Sequence, residues 1–387
     1  MHYYQTIVIG LGGIGSAALY HLAKRCKSTL GIDQFQVPHS WGSTHGGSRI
    51  TRLANGEGNV HTQLALRAAE LWKAAQQEVE GELLHQCGGI IVNNSLAGSF
   101  NNKENYFAHT VSMAEKYGIE HEVWHAAQAR EKFPALHFAD DETVLYEPTA
   151  GFLRPENCIN AHLQLAETLG AEIWQNTPVF DIEEISGGMR VHTNRGVVEA
   201  EQVVLTVGPW IGKVLLEYRQ LFKIIRQVTF WFAVDDWRQF MPENFPIFIR
   251  PSRGGNKGIY GFPAIDGENG GIKIASEYLA RPTPLENVDR KVHPAEIEEI
   301  YQQDILPNMR NVSPQCISAA TCLFTETLDY GFLIDRHPDM KSVVIASPCS
   351  GYGFKFAPAL GELIAQLTFK QPTSVDLNGF SFQRLVN

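Results

Sequence analysis

The stretch TIVIGLGGIGSAALYHLAKR, residues 6–25, decides the fold. It joins a short β-branched strand to a glycine turn and then to a helix whose apolar residues recur at helical spacing. The stretch STLGIDQF, residues 28–35, follows as a second strand that ends at Asp33. Strand, helix and strand complete a βαβ unit of roughly 30 residues, the repeating unit of parallel sheets. We therefore predict an α/β protein with a Rossmann-like domain.

The glycine turn carries the pattern G-x-G-x-x-G at Gly10, Gly12 and Gly15, and Asp33 follows 18 residues after the last glycine. Glycines let the backbone approach a pyrophosphate, and the N-terminus of the following helix supplies partial positive charge. An acid at this distance accepts a hydrogen bond from a ribose hydroxyl. Because the motif lies between a strand and a helix, it predicts a dinucleotide site, but it does not distinguish NAD from FAD.

The remaining sequence divides by character into two interleaved regions. Residues 156–179 repeat the helix-to-strand pattern, and residues 200–210 again predict a buried strand. Residues 217–320 instead contain aromatic strands and turns, including the loop PSRGGNKG at 251–258, which predicts an antiparallel sheet. The last part returns to a strand, a glycine loop and a helix. We therefore predict a cofactor-binding domain at 1–85, 146–216 and 320–387, interrupted by a substrate domain at 86–145 and 217–319.

Composition and charge exclude several classes of protein. The chain carries 32 Lys and Arg against 42 Asp and Glu, without a long run of like charges, so we expect no nucleic-acid partner. It has no stretch of about 18 apolar residues and no secretory pattern, so we expect no membrane span. The six cysteines form no C-x-x-C pair, which favours a reducing compartment, and we expect the cytoplasm.

Motifs of several reaction classes are missing from the sequence. It contains no H-E-x-x-H and no paired Cys or His spacing, so we expect no metal site. It contains neither a G-x-S-x-G elbow nor a P-loop. Hydrolase and phosphotransferase functions are therefore disfavoured.

A basic loop contains the first candidate site residues. The loop HSWGSTHGGSRITRL, residues 39–53, places His45, Arg49 and Arg52 close together. Two arginines three residues apart could converge on a carboxylate or on cofactor groups, since guanidinium groups suit planar oxyanions. A solvated basic loop is the alternative interpretation.

Two lysines and one cysteine are further candidates. Alternation along GGIKIASEY, residues 270–278, puts Lys273 and Glu277 on one face of a strand. Lys355 comes just before a helix N-terminus, which could stabilise an anion. For both lysines the alternative is an exposed surface position. Cys322 lies alone in a strand, where a thiol usually serves as a small buried hydrophobic group.

Several segments together resemble the monomeric sarcosine oxidase and N-methyltryptophan oxidase family of FAD-dependent amine oxidases. The resemblance runs in order over essentially the whole chain, and its most specific parts are the loop after the first helix and the C-terminal region. The segments are GLGGIG (10–15), GSTHGGSRITR (42–52), YEPTAGFLRPENC (146–158), VVLTVGPW (203–210), YGFP (260–263), GIKI (271–274), CLFTETLD (322–329) and CSGYGFKFAPALGELIAQL (349–367). The resemblance implies that the cofactor is FAD.

The resemblance also implies how the flavin is held. In that family the cysteine that opens a C-x-x-T segment carries a thioether to the flavin, and Cys322 stands at the matching place. Cys349, in the glycine loop that should also approach the flavin, is the rival candidate. We therefore expect FAD bound covalently through Cys322. The other cofactor-binding residues that we expect are Gly10, Gly12, Gly15, Asp33, Ser43, Thr44, Val179, Gly208, Gly351, Gly353 and Lys355.

The same matching implies roles for the charged residues. Arg52 and Lys355 resemble the pair that holds a substrate carboxylate, and two cations facing one pocket are reasonable if an anion occupies it. Lys273 matches the lysine that helps dioxygen accept an electron, because a desolvated cation stabilises developing superoxide. Arg49 and His45 resemble flavin-side residues.

The rest of the expected pocket departs from the family. Tyr260 and Thr325 should line it, but Glu277 and Tyr352 stand where the family carries histidines, Phe324 replaces a tyrosine and Ile249 replaces a methionine. A carboxylate at position 277 favours a cationic or hydrogen-bond-donating substrate group if it faces inward, and is solvated otherwise. These changes leave the identity of the substrate open.

We therefore expect an oxidase that converts a secondary amino acid, N-methylated or cyclic, to an imine that hydrolyses, while O2 is reduced to H2O2. One alternative is a dehydrogenase that passes electrons to a quinone or another carrier. A second alternative is a flavin-binding subunit without catalysis. We expect a monomer.

Overall fold

The computed structural model describes residues 2–93, 99–100, 103–251 and 258–386. Most of the loop expected at 251–258 lies outside these residues.

The helices vary from one turn to several turns. They are α1 (Gly13–Ala23), α2 (Asn59–Glu78), α3 (Tyr106–Tyr117), α4 (Ala126–Lys132), α5 (Pro155–Thr168), α6 (Ile211–Val214), α7 (Pro294–Ile300), α8 (Leu306–Asn308), α9 (Ala357–Thr368) and α10 (Gln383–Val386).

The strands of the first half of the chain are β1 (Tyr3–Ile9), β2 (Thr29–Ile32), β3 (Arg49–Thr51), β4 (Leu84–Gln86), β5 (Gly89–Asn93), β6 (Ser99–Phe100), β7 (Lys103–Glu104), β8 (Glu122–His125), β9 (Thr143–Glu147), β10 (Gly151–Leu153) and β11 (Glu172–Trp174). Those of the second half are β12 (Val179–Ile185), β13 (Gly188–Thr193), β14 (Gly196–Leu205), β15 (Phe222–Val234), β16 (Ile247–Pro251), β17 (Gly258–Phe262), β18 (Ile272–Ser276), β19 (Arg281–Pro282), β20 (Val312–Thr327), β21 (Leu333–Arg336) and β22 (Val343–Ser347).

The first large sheet contains the predicted βαβ unit. β1 lies between β2 and β14 and pairs parallel with both. β11 adds a parallel strand beyond β2, and β22 pairs parallel with the end of β14. The strands β12, β13 and β21 join this sheet antiparallel. The prediction of an α/β protein with a Rossmann-like sheet is confirmed.

Alternation along β1 gives this sheet two buried faces. Val8 packs in a core shared with Leu19 of α1, Trp72 of α2 and Leu360 of α9, so these helices cover one face. Ile7 and Ile9 pack on the opposite face with residues of β13 and β14. Burial on both faces explains why these strands are nearly continuous apolar runs.

The second large sheet is mostly antiparallel, as predicted. Its order is β19-β15-β18-β17-β16-β5-β9-β8, and β20 pairs antiparallel with β15 along almost its entire length. The pair β16 and β5 is parallel. One face packs into an aromatic core that includes Phe230 and Phe248, while β18 turns Ile272 and Ile274 into that core. Lys273, between them, therefore lies on the other face.

Two of the predicted domain boundaries fall inside strands of this sheet. The boundary at 145/146 cuts β9, and the boundary at 319/320 cuts β20. Both strands continue to pair within the second sheet beyond these points, with Glu147 opposite Gly89 and Thr327 opposite Phe222. The boundary at 85/86 cuts β4, whose Gln86 pairs with Gly151 of β10. We therefore propose that residues 146–147 and 320–327 belong with the substrate domain, and residue 86 with the cofactor-binding domain.

Within the described ranges, none of the helices combines the length and the apolar character that crossing a membrane requires.

Candidate active site

A cavity of about 940 Å³ is lined by residues of both large sheets. Gly10, Gly12 and Asp33 line it together with Lys273 and Cys322. The other predicted site residues on its wall are Ser43, Thr44, Arg49, Arg52, Val179, Gly208, Ile249, Tyr260, Glu277, Cys349, Gly351, Tyr352, Gly353 and Lys355. The structure thus brings together residues from nearly the full length of the chain.

The three glycines of the glycine turn differ in the space around them. Gly10 has φ +91°, and a Cβ there would lie 2.6 Å from the carbonyl oxygen of Thr206. A Cβ on Gly15 would lie 1.7 Å from the Gly10 carbonyl oxygen, so this glycine serves close packing and does not line the cavity. At Gly12 the space is open, since a Cβ would meet only the hydroxyl of Thr44 at 4.0 Å. The turn therefore presents open backbone to the cavity at the start of α1.

Asp33 lies at the end of β2 on the cavity wall. Its Oδ2 accepts a hydrogen bond from the Leu11 N–H at 2.7 Å, and its Oδ1 accepts one from the Phe35 N–H at 2.9 Å. Burial raises the pKa of this carboxyl group, although these hydrogen bonds and nearby His39 act in the opposite direction. The contacts hold the carboxylate beside the glycine turn, where it can accept from a ribose.

These features fit FAD. The open glycine turn suits a pyrophosphate at the N-terminus of α1, and the adjacent carboxylate suits a ribose hydroxyl. The same continuous cavity reaches a cluster of buried cations and two cysteines, and its size is at the upper end of the range for ligand sites.

Arg49, the first residue of β3, lines the cavity. Its guanidinium donates to the carbonyl oxygen of Ser43 at 2.6 Å and to that of Ser48 at 2.7 Å. His45 lies off the cavity wall. Burial, with a further contribution from neighbouring Arg49, lowers the pKa of His45 to about 4, so this imidazole is neutral at pH 7.

Lys273 is buried, with a relative exposure of 2%. Its Nζ donates to the carbonyl oxygens of Gly46 at 2.7 Å and Ser48 at 3.0 Å, and lies 4.9 Å from the ring centre of Phe262. Burial is the main cause that lowers its pKa well below the ordinary value, and Arg49 adds to the effect. The alternative of a solvent-exposed strand lysine is therefore wrong.

Arg52 and Lys355 form a second cationic cluster, and both are buried. Arg52 donates to the carbonyl oxygen of Ala54 and to the hydroxyl of Tyr106, while its Nε has no hydrogen-bond partner in the described part of the chain. Lys355 Nζ donates to the carbonyl oxygen of Tyr352 at 3.0 Å. A surface position, the alternative for each residue, is wrong.

The acid of this cluster, Glu57, was missed by the sequence analysis. Its carboxylate lies 3.6 Å from Arg52. Burial works to raise the pKa of Glu57, but Arg52, Lys355 and His61 outweigh it and hold the value at about 2. The expectation that two facing cations require an anionic ligand was therefore incomplete, because the protein supplies one negative charge itself. Its only signal in the sequence was its nearness to Arg52 in a glycine-flanked loop.

Burial lowers the pKa of Lys355 to about 7, with Glu57 acting against this shift and Arg52 adding to it. Arg52 keeps its charge, and near neutral pH Lys355 exchanges its proton readily. The cluster can therefore bind a carboxylate with one permanent cation and one that titrates.

Cys322 lies on β20 opposite Gln227, and alternation puts Cys322 and Phe324 on the cavity side of the strand. Thr325 is buried but lies off the cavity wall, because it faces the other side. Burial raises the pKa of Cys322, while Arg49 and Lys273 act to lower it. Cys349 also lines the cavity, so both candidate anchor cysteines are present at the site.

Glu277 follows the end of β18 and lines the cavity. Its Oε2 accepts a hydrogen bond from the Gly258 N–H at 3.1 Å. Neighbouring Tyr260 also lines the cavity, and burial raises the pKa of its hydroxyl. Tyr352 stacks on Phe332 and donates to the carbonyl oxygen of Tyr330.

Comparisons with known proteins identify relatives of this chain. The chain is 37% identical over 390 residues to monomeric sarcosine oxidase of Streptomyces avermitilis, covering 99% of this chain and 98% of that protein. It is 32% identical over 385 residues to N-methyl-L-tryptophan oxidase of Yersinia pestis, covering 98% of this chain and 99% of that protein.

Solved structures share the fold. NikD, described as an unusual amino acid oxidase essential for nikkomycin biosynthesis, matches with a TM-score of 0.85 at 20% identity, covering 98% of both chains. Glycine oxidase from Geobacillus kaustophilus matches with a TM-score of 0.78 at 21% identity, covering 99% of both chains. Residues 5–367 match the sequence family described as FAD dependent oxidoreductase. With its glycine turn, its acid and its cavity, this chain belongs to the FAD dependent oxidoreductase family.

Proposed function

We propose that this protein is an oxidase of secondary amino acids, N-methylated or cyclic. The observation that carries the proposal is one cavity that connects the glycine turn at Gly10–Gly13 to the buried cations Arg52 and Lys355. The names of the curated relatives, a sarcosine oxidase and an N-methyl-L-tryptophan oxidase, support the same substrate class.

Arg52 and Lys355 would bind the carboxylate of the substrate. Both side chains are buried and line the cavity, so a carboxylate between them exchanges water for charge-assisted hydrogen bonds. The free Nε of Arg52 is a donor available for this purpose. Holding the carboxylate at one end orients the amine-bearing carbon within the cavity, which favours reaction by fixing its approach.

Gly10, Gly12 and Asp33 would hold the dinucleotide end of FAD, and Cys322 would anchor its ring through a thioether. When bound, FAD accepts two electrons from the substrate and delivers them to O2. Cys322 is favoured over Cys349 because it opens the C-x-x-T segment. Burial raises the pKa of both thiols, and the cations Arg49 and Lys273 act against this shift at Cys322.

Lys273 would assist the reduction of O2. Its ammonium is surrounded by backbone oxygens and aromatic rings and is shielded from bulk water, so its charge acts at low dielectric. A preorganised cation stabilises the negative charge that develops on oxygen. The substrate loses two electrons and two protons to become an imine, O2 gains two of each to become H2O2, and water then hydrolyses the imine.

Two measurements test the proposal together. Anaerobic mixing with sarcosine, larger N-methyl amino acids and cyclic imino acids should bleach the flavin absorption for at least one of them. The same substrate should then drive O2 uptake and H2O2 formation in an oxygen electrode. Bleaching without O2 uptake would favour a dehydrogenase with another electron acceptor, and absence of bleaching by every secondary amino acid would refute the substrate class.

We also propose that the protein is a monomer and works in the cytoplasm. The name of the monomeric sarcosine oxidase that it resembles supports the first point, and cysteines that are free throughout the chain are compatible with the second. Light scattering after gel filtration and fractionation of cells test these two points.

A further inference from the structure

The carboxylate of Glu156 lies beneath the turn formed by Gly46 and Gly47. Its Oε1 accepts hydrogen bonds from the Gly46 N–H at 2.6 Å and the Gly47 N–H at 3.2 Å, and its Oε2 lies 3.3 Å from the Gly47 nitrogen. Both glycines have left-handed φ values, +92° and +75°. Successive N–H groups in such a turn form a concavity that binds anions, and Glu156 occupies it.

Lys273 lies on the opposite side of the same turn. Gly46 therefore bonds Glu156 through its N–H and Lys273 through its carbonyl oxygen. Lys273 also donates to the carbonyl oxygen of Ser48, at 3.0 Å, and lies 3.2 Å from the Ser48 hydroxyl. Among the residues with described positions, no carboxylate lies within ion-pair distance of Lys273, so its placement depends on these oxygens.

Strand pairing explains why Glu156 reaches the turn. β10 pairs antiparallel with β3, with Leu153 opposite Arg49. This pairing brings the start of α5, which directly follows β10, next to the residues that precede β3, and Glu156 contacts Gly46 there. Pro155 begins α5, so Glu156 lies in the first turn of that helix, where the helix dipole also favours a carboxylate.

We infer that Glu156 is a positioning residue for Lys273, holding the Gly46–Gly47 turn so that its oxygens keep the ammonium in place for the reaction with O2. This inference rests on the proposed role of Lys273. Glu156 does not line the cavity, so it acts through the turn and not on the substrate. Loss of Glu156 should therefore slow the reaction with O2 and leave substrate oxidation nearly unchanged.

The charges around Lys273 predict that loss of Glu156 also changes the pKa of Lys273. Burial and Arg49 lower the pKa of Lys273, while two carboxylates raise it, as does Cys322 when it is a free thiol. Removing the charge at position 156 should therefore lower the pH at which Lys273 loses its proton. The groups that raise the pKa are Cys322, Glu156 and Asp266, and His45 is a further titratable neighbour.

Hydrogen exchange tests the structural part without any turnover. In Glu156→Ala the amides of Gly46 and Gly47 should exchange faster, measured by mass spectrometry on peptides that span residues 43–49. Glu156→Gln keeps an oxygen acceptor and should retain most of the protection. Glu167→Gln, an exposed glutamate near the other end of α5, is the matched control and should behave as wild type.

Stopped-flow kinetics tests the functional part. In Glu156→Ala, reoxidation by O2 should slow by about tenfold or more, while anaerobic reduction by substrate should change by less than about twofold. In Glu156→Gln, the decline of the reoxidation rate with rising pH should begin at a lower pH than in wild type. A purely structural defect would not produce that shift.

Four results distinguish the alternatives. Equal slowing of both half-reactions in Glu156→Ala would give Glu156 a general structural role and overturn the inference, as would unchanged reoxidation despite fast exchange at Gly46 and Gly47. If Glu156→Ala does not fold, the pH dependence of reoxidation in Glu156→Gln decides. A decline that begins at a lower pH than in wild type supports the inference, and an unchanged pH dependence overturns it. If Lys273→Met reoxidises at the wild-type rate, it is the proposed role of Lys273 that fails, and the exchange data still report whether Glu156 holds the turn.

Discussion

Substrate binding should depend on pH through Lys355. Burial lowers the pKa of Lys355 to about 7, with Glu57 acting against the shift and Arg52 adding to it. If the ammonium of Lys355 holds a carboxylate, only the protonated enzyme binds fully. Because this pKa is depressed, the lysine is charged below pH 7 and loses its charge as pH rises through that value. Affinity should then fall by about tenfold for each pH unit.

The total loss of affinity is limited by the free energy of the single contact between Lys355 and the carboxylate. A hydrogen bond to a charged group contributes about 1.5 to 3 kcal/mol. This range corresponds to roughly 10-fold to 150-fold in Kd. The Kd should rise by that factor between about pH 6 and about pH 9 and then level, because Arg52 stays charged and still binds the carboxylate.

The assay needs a ligand that does not itself titrate. Cyclopentanecarboxylate resembles a cyclic imino acid without the amine, and its carboxyl group stays ionised over this pH range. Its Kd can be measured from the change that it causes in the flavin absorption spectrum. Lys355→Arg retains a charge throughout and should bind with an affinity that does not depend on pH, whereas Lys355→Met should bind weakly at every pH. Glu57→Gln removes a group that raises the pKa of Lys355, so the affinity of this variant for the carboxylate should begin to fall at a lower pH than that of wild type.

A wild-type Kd that stays constant between about pH 6 and about pH 9 would refute the role of Lys355 as a titrating anchor. A Lys355→Arg variant that retains the wild-type pH dependence would assign the titration to another group.

The flavin attachment, the oxygen reaction and the carboxylate site each provide a further prediction. The flavin of the wild-type protein should stay with the chain after acid precipitation, whereas Cys322→Ala should release it; retention in Cys322→Ala with release in Cys349→Ala would make Cys349 the anchor. Lys273→Met should slow reoxidation by roughly 100-fold to 1000-fold in stopped-flow experiments and spare reduction by substrate. Lys73→Met, on the exposed side of α2, is the control for Lys273→Met. An unchanged rate of reoxidation in Lys273→Met would show that Lys273 does not assist the reaction with O2. Arg52→Ala should raise the KM for a secondary amino acid by well over about tenfold, and equal wild-type activity on that amino acid and on its decarboxylated amine would contradict a carboxylate anchor.

Local sequence patterns were sufficient to predict the residues of the glycine turn and the acid beside it. Gly10, Gly12, Gly15 and Asp33 all belong to one βαβ unit, so the spacing along the chain already implies their arrangement in space. The resemblance to amine oxidases extended this prediction to Arg52, Lys355 and the other pocket residues. Without it, the residues alone favoured exposed positions for both lysines and the basic loop.

Side-chain direction along strands was only partly predictable. Alternation along β18 correctly separates Lys273 from Ile272 and Ile274. Thr325 was expected in the pocket, yet it lies on the opposite face of β20 from Cys322, because an odd separation along a strand reverses the face. The residue type alone carries no information about which face meets the cavity.

The sequence by itself determined the α/β class and the dinucleotide turn, because both depend on residues close along the chain. The change from helix-to-strand patterns to aromatic strands predicted the interleaved division. Only the tertiary structure decided that Lys273 is buried against the Gly46 carbonyl, 227 residues away. It also placed Glu57 beside Arg52, and Glu156 under the turn formed by Gly46 and Gly47. The physical reason is that burial, charge pairing and pKa depend on which distant elements pack together, and the register of β3 with β10 and the closeness of α9 to α2 leave no periodic signal in the sequence.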